Sequence, residues 1–156
     1  MIVAKSISQK QKSLTFHIDA TGSVVRPFNQ RQVYYYAVVM ANDDPEIPAL
    51  PIFEFLTDSH NVGNLQMAFV SWWGHMSIFG LRPDVIVLDM SWALIHAALF
   101  VFCGESIDDH LRKLWQSLQV PKTDVKGPSL RLCASHFIKA VSRRLAKVSS
   151  LSKQVC

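Results

Sequence analysis

Residues 82–98 read Arg-Pro-Asp-Val-Ile-Val-Leu-Asp-Met-Ser-Trp-Ala-Leu-Ile-His-Ala-Ala. Pro83 opens a short apolar run, residues 84–88, of the kind found in strands buried on both faces. From Trp92 to Phe102 the apolar residues return at helical spacing, and Gly104 is suited to end that helix. A strand that comes back after a helix usually lies parallel to a neighbour, through a right-handed crossover. Asp89 closes the strand, although aspartate is disfavoured in β-structure. Residues 14–19, Leu-Thr-Phe-His-Ile-Asp, repeat the arrangement, with Asp19 at the end of an apolar run and Thr21-Gly22 as the expected turn.

Working outward, residues 33–40 (Val-Tyr-Tyr-Tyr-Ala-Val-Val-Met) form a strand rich in aromatic and β-branched residues. Asn42-Asp43-Asp44-Pro45 is a turn cluster. A third strand spans 52–56, entered past Pro48 and Pro51. From Asn61 to Gly80, Leu65, Met67-Ala68-Phe69, Trp72-Trp73 and Met76 recur at helical spacing, with Thr57, Asp58 or Ser59 as the cap. A further helix over 106–119 carries Leu111, Leu114, Trp115 and Leu118 on one face. Residues 121–128 are a polar loop and 129–132 a fifth strand. In the last helix Phe137, Val141, Leu145 and Val148 share one face, while Lys139, Arg143 and Lys147, with Arg144 beside them, form a basic one. The order β-β-β-α-β-α-α-β-α implies an α/β domain: a mixed sheet of three antiparallel strands followed by parallel strands, with flanking helices. One domain over 14–148 is expected, with 1–13 a flexible lead-in and 149–156 a tail.

The chain has 156 residues, 49% hydrophobic and 18% charged, enough for a core and too apolar for disorder. A net charge of +4 permits nucleic-acid contact without requiring it. The odd cysteine count, Cys103, Cys133 and Cys156, fits a reducing intracellular compartment. The N-terminus lacks the apolar core of a signal peptide. Within 85–102, Asp89 would cost ~2.5–3.5 kcal/mol near a bilayer centre. The apolar piece from Trp92 to Cys103 is shorter than the ~20 residues of a span, so no membrane is expected.

Two readings of Asp19 and Asp89 stand side by side. In one they are turn or capping residues: Asp19 in an Asx turn into Ala20-Thr21-Gly22, and Asp89 near the cap of the following helix, with Ser91 as its rival. In the other they lie on neighbouring parallel strands ~4.8 Å apart and share one divalent metal, or two ~3.5–4 Å apart. Such a centre needs a third acidic group.

Four stretches resemble Mutator-like transposases of eukaryotes, in the same order. Asp-Ala-Thr-Gly-Ser-Val-Val (19–25) with Val-Tyr-Tyr-Tyr-Ala-Val-Val (33–39) is similar to their first catalytic segment. Residues 52–60, a strand into Leu-Thr-Asp-Ser-His, resemble the next, and 82–98 the segment carrying their second aspartate. Leu-Cys-Ala-Ser-His-Phe-Ile-Lys-Ala (132–140) resembles their Cys-x-x-His stretch. The resemblance implies a ribonuclease-H-like fold, an Asp-Asp-Glu triad and Mg²⁺- or Mn²⁺-dependent phosphodiester cleavage and strand transfer on DNA in the nucleus. Asp19 and Asp89 would be catalytic metal ligands. The family's glutamate lies on a helix downstream of the Cys-x-x-His, and this chain has no acidic residue after Asp124. A fragment or truncated remnant is therefore expected, inactive alone and partnered by DNA, the rest of a transposase or further copies of itself. The alternative is a transposon-derived module that binds DNA or protein without catalysis.

Cys133 and His136 have the spacing of two zinc ligands. Cys103 and His110 are the conceivable others, but a structural role with Ser135 as a cap is preferred and zinc is not expected. Lys139, Arg143, Arg144 and Lys147 are the candidate DNA-binding residues. Glu105, Asp108 and Asp109 read as a solvated cap and helix face. Trp72, Trp73 and Trp92 are expected in the core, as is His96.

Overall fold

A computed structural model of the protein describes residues 13–22, 26–27, 30–41, 46, 48–78, 80–119 and 127–152, with backbone alone for 147–152. The expected turn at 42–45, the lead-in at 1–12, most of the loop at 121–128 and residues 153–156 lie outside the described residues.

The elements are β1 (Thr15–Gly22), β2 (Tyr34–Met40), β3 (Leu50–Thr57), α1 (Val62–Ile78), β4 (Val85–Leu88), α2 (Trp92–Ala98), α3 (Ile107–Gln119), β5 (Ser129–Leu132) and α4 (Ala134–Ser152). A π-helical turn, Leu99–Cys103, prolongs α2 and ends at Gly104, whose φ of 67° is the left-handed conformation glycine adopts without strain. The five strands form one mixed sheet in the order β3-β2-β1-β4-β5. β2 runs antiparallel to β1 and β3, and β4 is parallel to β1 and β5. This is the expected α/β class with the expected strand directions.

Alternation along the strands explains which face is buried. Phe16 and Ile18 on β1, Tyr36, Val38 and Met40 on β2, and Ile86 and Leu88 on β4 point to the core. Against them pack Leu65, Phe69, Trp72 and Met76 of α1 and Leu94, Ala97 and Ala98 of α2. Trp72 stacks on Phe53 at 5.1 Å, and Phe55 on Tyr36 at 4.9 Å. On the opposite face Tyr35, Ala37, Val39, Val85 and Val87 are only half-buried, and His17, Asp19, Glu54 and Leu56 are exposed.

Several local expectations are corrected. Thr21 and Gly22 do not turn the chain but continue β1, paired with Tyr35 and Tyr34. β3 begins at Leu50 and contains Pro51, which an edge strand tolerates because a donor there is dispensable. The cap of α1 is Asn61, whose Oδ1 accepts from Asn64 N–H at 2.9 Å. α4 runs on to Ser152, past the end of its apolar pattern at Val148. Trp92 is 69% exposed, because it is the first residue of α2 and lies outside the face marked by Leu94 and Ala98. His96 is only half-buried, its ring 6.1 Å from that of Trp92. No helix among the described residues is long and apolar enough to cross a membrane.

Candidate functional site

Parallel pairing decides where the two aspartates stand. Between β1 and β4 the register runs from Thr15 opposite Val85 to Ile18 opposite Leu88. Asp19 and Asp89 are each the residue that follows this last pair. Ile18 is buried, so alternation along β1 turns Asp19 toward the half-open face, where it is exposed, whereas Asp89 lies just past the end of β4 and is half-buried. Asp19 is not at the end of its strand, since β1 continues against β2 to Gly22. It stands where pairing with β4 stops.

Asp89 makes the local bond of the turn-residue reading, but Asp19 does not: β1 continues through Thr21 and Gly22, and the Asp19 carboxylate reaches only the N–H one residue on. Asp19 Oδ1 accepts from Ala20 N–H at 2.8 Å. Asp89 Oδ1 accepts from Ser91 N–H at 3.0 Å, and Ser91, not Asp89, caps α2, its Oγ accepting from Leu94 N–H at 3.4 Å. Each carboxylate commits one oxygen, and no residue described bonds the other. Mg²⁺ is commonly held by one or two carboxylates, with waters and substrate phosphate completing its shell. Asp19 and Asp89 fit that donor set. Among the described residues no three His, Cys, Asp or Glu side chains group closely enough to hold a metal ion by themselves.

The acids just after the π-helical turn cannot serve as a third ligand. Cys103 Sγ lies 3.7 Å from the Pro128 carbonyl, where β5 begins, whereas Asp89 lies where β4 finishes. Glu105, two residues on from Cys103, therefore belongs to the opposite end of the sheet. It is not a solvated cap: its side chain is 8% exposed and bonded to Lys113 and, at 2.6 Å, to His110 Nδ1. Burial pushes its carboxyl up, but Lys113 and His110 outweigh this and hold it below the usual range. Asp109 is tied to Ser106 at 2.7 Å and to Arg112 at 3.0 Å. A cavity of about 520 Å³, lined by Trp73, Arg82, Asp84, Phe102 and Pro128 among others, also lies at this far end.

Cys133 follows Leu132, which pairs with Leu88, and its N–H donates to the Leu88 carbonyl at 2.7 Å. It thus stands in the same row as Asp19 and Asp89, a neighbour the sequence reading missed. The signal was available, since Cys133 follows its strand by one residue just as Asp89 does. The thiol lies 2.9 Å from Ser135 Oγ. That hydroxyl, with the N–H and ring of His136, pulls the thiol down to about 7. Ser135 therefore serves the thiol and does not cap α4. Burial and the Glu105 charge push Cys103 up to about 11. Cys103 and His110 cannot join Cys133 and His136, because the length of β5 separates the pairs.

Lys139, Arg143 and Arg144 are exposed on α4, with no carboxylate in ion-pair distance among the described residues. Lys147 lies on the same helix, in the stretch described by backbone alone. The apolar face of α4 is also uncovered: Phe137, Val141 and Leu145 are 51%, 40% and 65% exposed. With Met90 and Arg144 they line a groove of about 300 Å³.

His60 and Tyr36, which no sequence pattern brings together, meet beside Ser91. Tyr36 Oη bonds His60 Nδ1, and His60 Nε2 lies 2.7 Å from Ser91 Oγ. Burial, then the charge of Asp89, pushes the Tyr36 phenol up. Comparison with family models, curated proteins and solved structures finds no significant match.

Proposed function

We propose that the chain is part of a ribonuclease-H-like catalytic core of the Mutator-like transposase type, in which Asp19 and Asp89 hold Mg²⁺ or Mn²⁺ for phosphodiester chemistry on DNA. The observation that carries this is the register. Asp19 and Asp89 follow the last paired residues of two adjacent parallel strands and share one end of the sheet. The strand order β3-β2-β1-β4-β5, with β2 alone reversed, supports the fold assignment. A bound metal would supply Lewis-acid activation of a water or 3′-hydroxyl. No third acid joins the pair among the described residues, so the proposal gives this chain metal binding without turnover of its own. The missing carboxylate would come from the rest of a transposase or from another copy.

The test is calorimetric titration with MnCl₂. Wild-type protein should bind, and Asp19→Asn or Asp89→Asn should each weaken binding by at least about tenfold. Equal affinity in all three proteins rejects the metal reading.

A second reading rests on Lys139, Arg143 and Arg144, exposed on α4 with no carboxylate in ion-pair distance among the described residues: a non-catalytic module that binds the DNA backbone. Affinity for duplex DNA should then fall with salt, with a log–log slope near −3 for three or four phosphate contacts. Binding should survive Asp19→Asn and disappear when Arg143, Arg144 and Lys147 are all changed to Gln. A salt-independent signal, or one untouched by the triple change, rejects it.

A further inference from the structure

We propose that His60 is a positioning residue for Asp89, joining the buried Tyr36 to the turn that aims the Asp89 carboxylate. The inference rests on the reading of Asp89 as a metal ligand. Its basis is a chain of bonds linking two connections far apart in sequence. Tyr36 is fully buried and stacked on Phe55, so its Oη is a fixed point at the top of the core. A phenol donates at neutral pH, which makes His60 Nδ1 the acceptor and leaves the proton of the neutral ring on Nε2. Nε2–H then donates to Ser91 Oγ across 2.7 Å. Ser91 Oγ also accepts from Leu94 N–H, which fills its acceptor capacity.

Ser91 is thereby held by the histidine and by the helix it caps. Its own N–H is the donor that holds Asp89 Oδ1. Without His60, Ser91 Oγ keeps only the 3.4 Å bond from Leu94 N–H, and the Ser91 side chain loses its link to the buried Tyr36, leaving the backbone bond from Ile95 N–H to the Ser91 carbonyl at 2.9 Å. The Tyr34 ring, 5.3 Å from that of His60, limits the imidazole from the side. A histidine outside both strands thus sets the orientation of a carboxylate it does not touch, as outer partners do around metal ligands.

The experiment uses the full chain and two readouts. By NMR of ¹⁵N,¹³C-labelled protein at pH 7.5, His60 should be the Nε2–H tautomer with Nδ1 accepting. The Asp89 ¹³Cγ resonance should move in His60→Ala and return toward its wild-type position in His60→Gln, whose amide can still donate to Ser91. The Asp19 ¹³Cγ resonance should stay in place. By calorimetry with MnCl₂, His60→Ala should weaken binding about tenfold and His60→Gln should recover most of it. A mobile His60 of mixed tautomer, or an Asp89 resonance unmoved in His60→Ala, overturns the proposal. So does an Asp89 shift that His60→Gln fails to reverse. If wild-type protein binds no Mn²⁺ while the Asp89 resonance responds as described, the metal reading fails and the positioning role stands.

Discussion

Cys103 and Cys133 show how placement sets side-chain chemistry. Cys133 stands at the start of α4 beside the Ser135 hydroxyl and the N–H of His136, and its thiol titrates near 7. Cys103, under burial and the Glu105 charge, titrates near 11. Iodoacetamide at pH 7.5 should therefore label Cys133 at least about 20-fold faster than Cys103, since the thiolate is the nucleophile and the lower intrinsic reactivity of a low-pKa thiolate offsets only part of its larger population. The Cys133 rate should rise through pH 7 and level off above it, as peptide mapping over pH 5.5–9 would show. Nothing in the letters Cys-Ala-Ser-His separates this from a zinc half-site. The separation comes from where Cys103 and His110 lie. Asp89 was legible as unusual, but that Ser91 and not Asp89 caps the helix depends on side-chain orientation, which sequence spacing does not set.

At the scale of elements, all four described helices stand where the sequence pattern places them, but only α1 and α2 have their apolar stripe covered. Leu65, Phe69, Trp72 and Met76 recur every three or four residues and are buried as that period requires. Leu111, Leu114, Trp115 and Leu118 have the same period on α3, yet they are 55%, 42%, 66% and 77% exposed. Periodicity reports that a face is apolar, not that something covers it. An uncovered stripe of this kind favours self-association. Sedimentation should show concentration-dependent oligomers that the double change Trp115→Lys, Leu118→Lys reduces.

The start of α3 is pinned by Glu105. Its carboxyl is held below its ordinary value, so the clamp contributes stability above the unfolded-state pKa of a glutamate and loses it as pH falls through the lower folded value. Glu105→Gln should therefore cost about 1 kcal/mol at pH 7, kept small by solvent around Lys113, whose side chain is 50% exposed. The difference should shrink in thermal melts as pH falls and vanish once the folded-state carboxyl is protonated, where both proteins carry a neutral side chain.

Taken whole, the molecule is a sheet with one packed face and one half-open face. Parallel strands are normally covered on both sides, yet Val85 and Val87 are only half-buried. Stability should follow the packed face. Hydrogen exchange should be slowest at β1, β2 and β4, whose core residues are fully buried, and fastest along α4, where every residue from 137 to 146 is exposed. Equal protection of α4 and β1 would contradict this division.

By itself the sequence determined the element order, because hydrophobic period, glycine and proline punctuation, and strand composition are local properties carried by neighbouring letters. It also marked Asp19 and Asp89 as out of place in apolar runs. Only the tertiary structure decided that these two residues share one row, that Cys133 continues it, and that Glu105 belongs to the other end. Those facts depend on strand register and on the direction in which α2 carries the chain back. Pairing between residues seventy positions apart is set by packing of the whole sheet, and no local pattern encodes it.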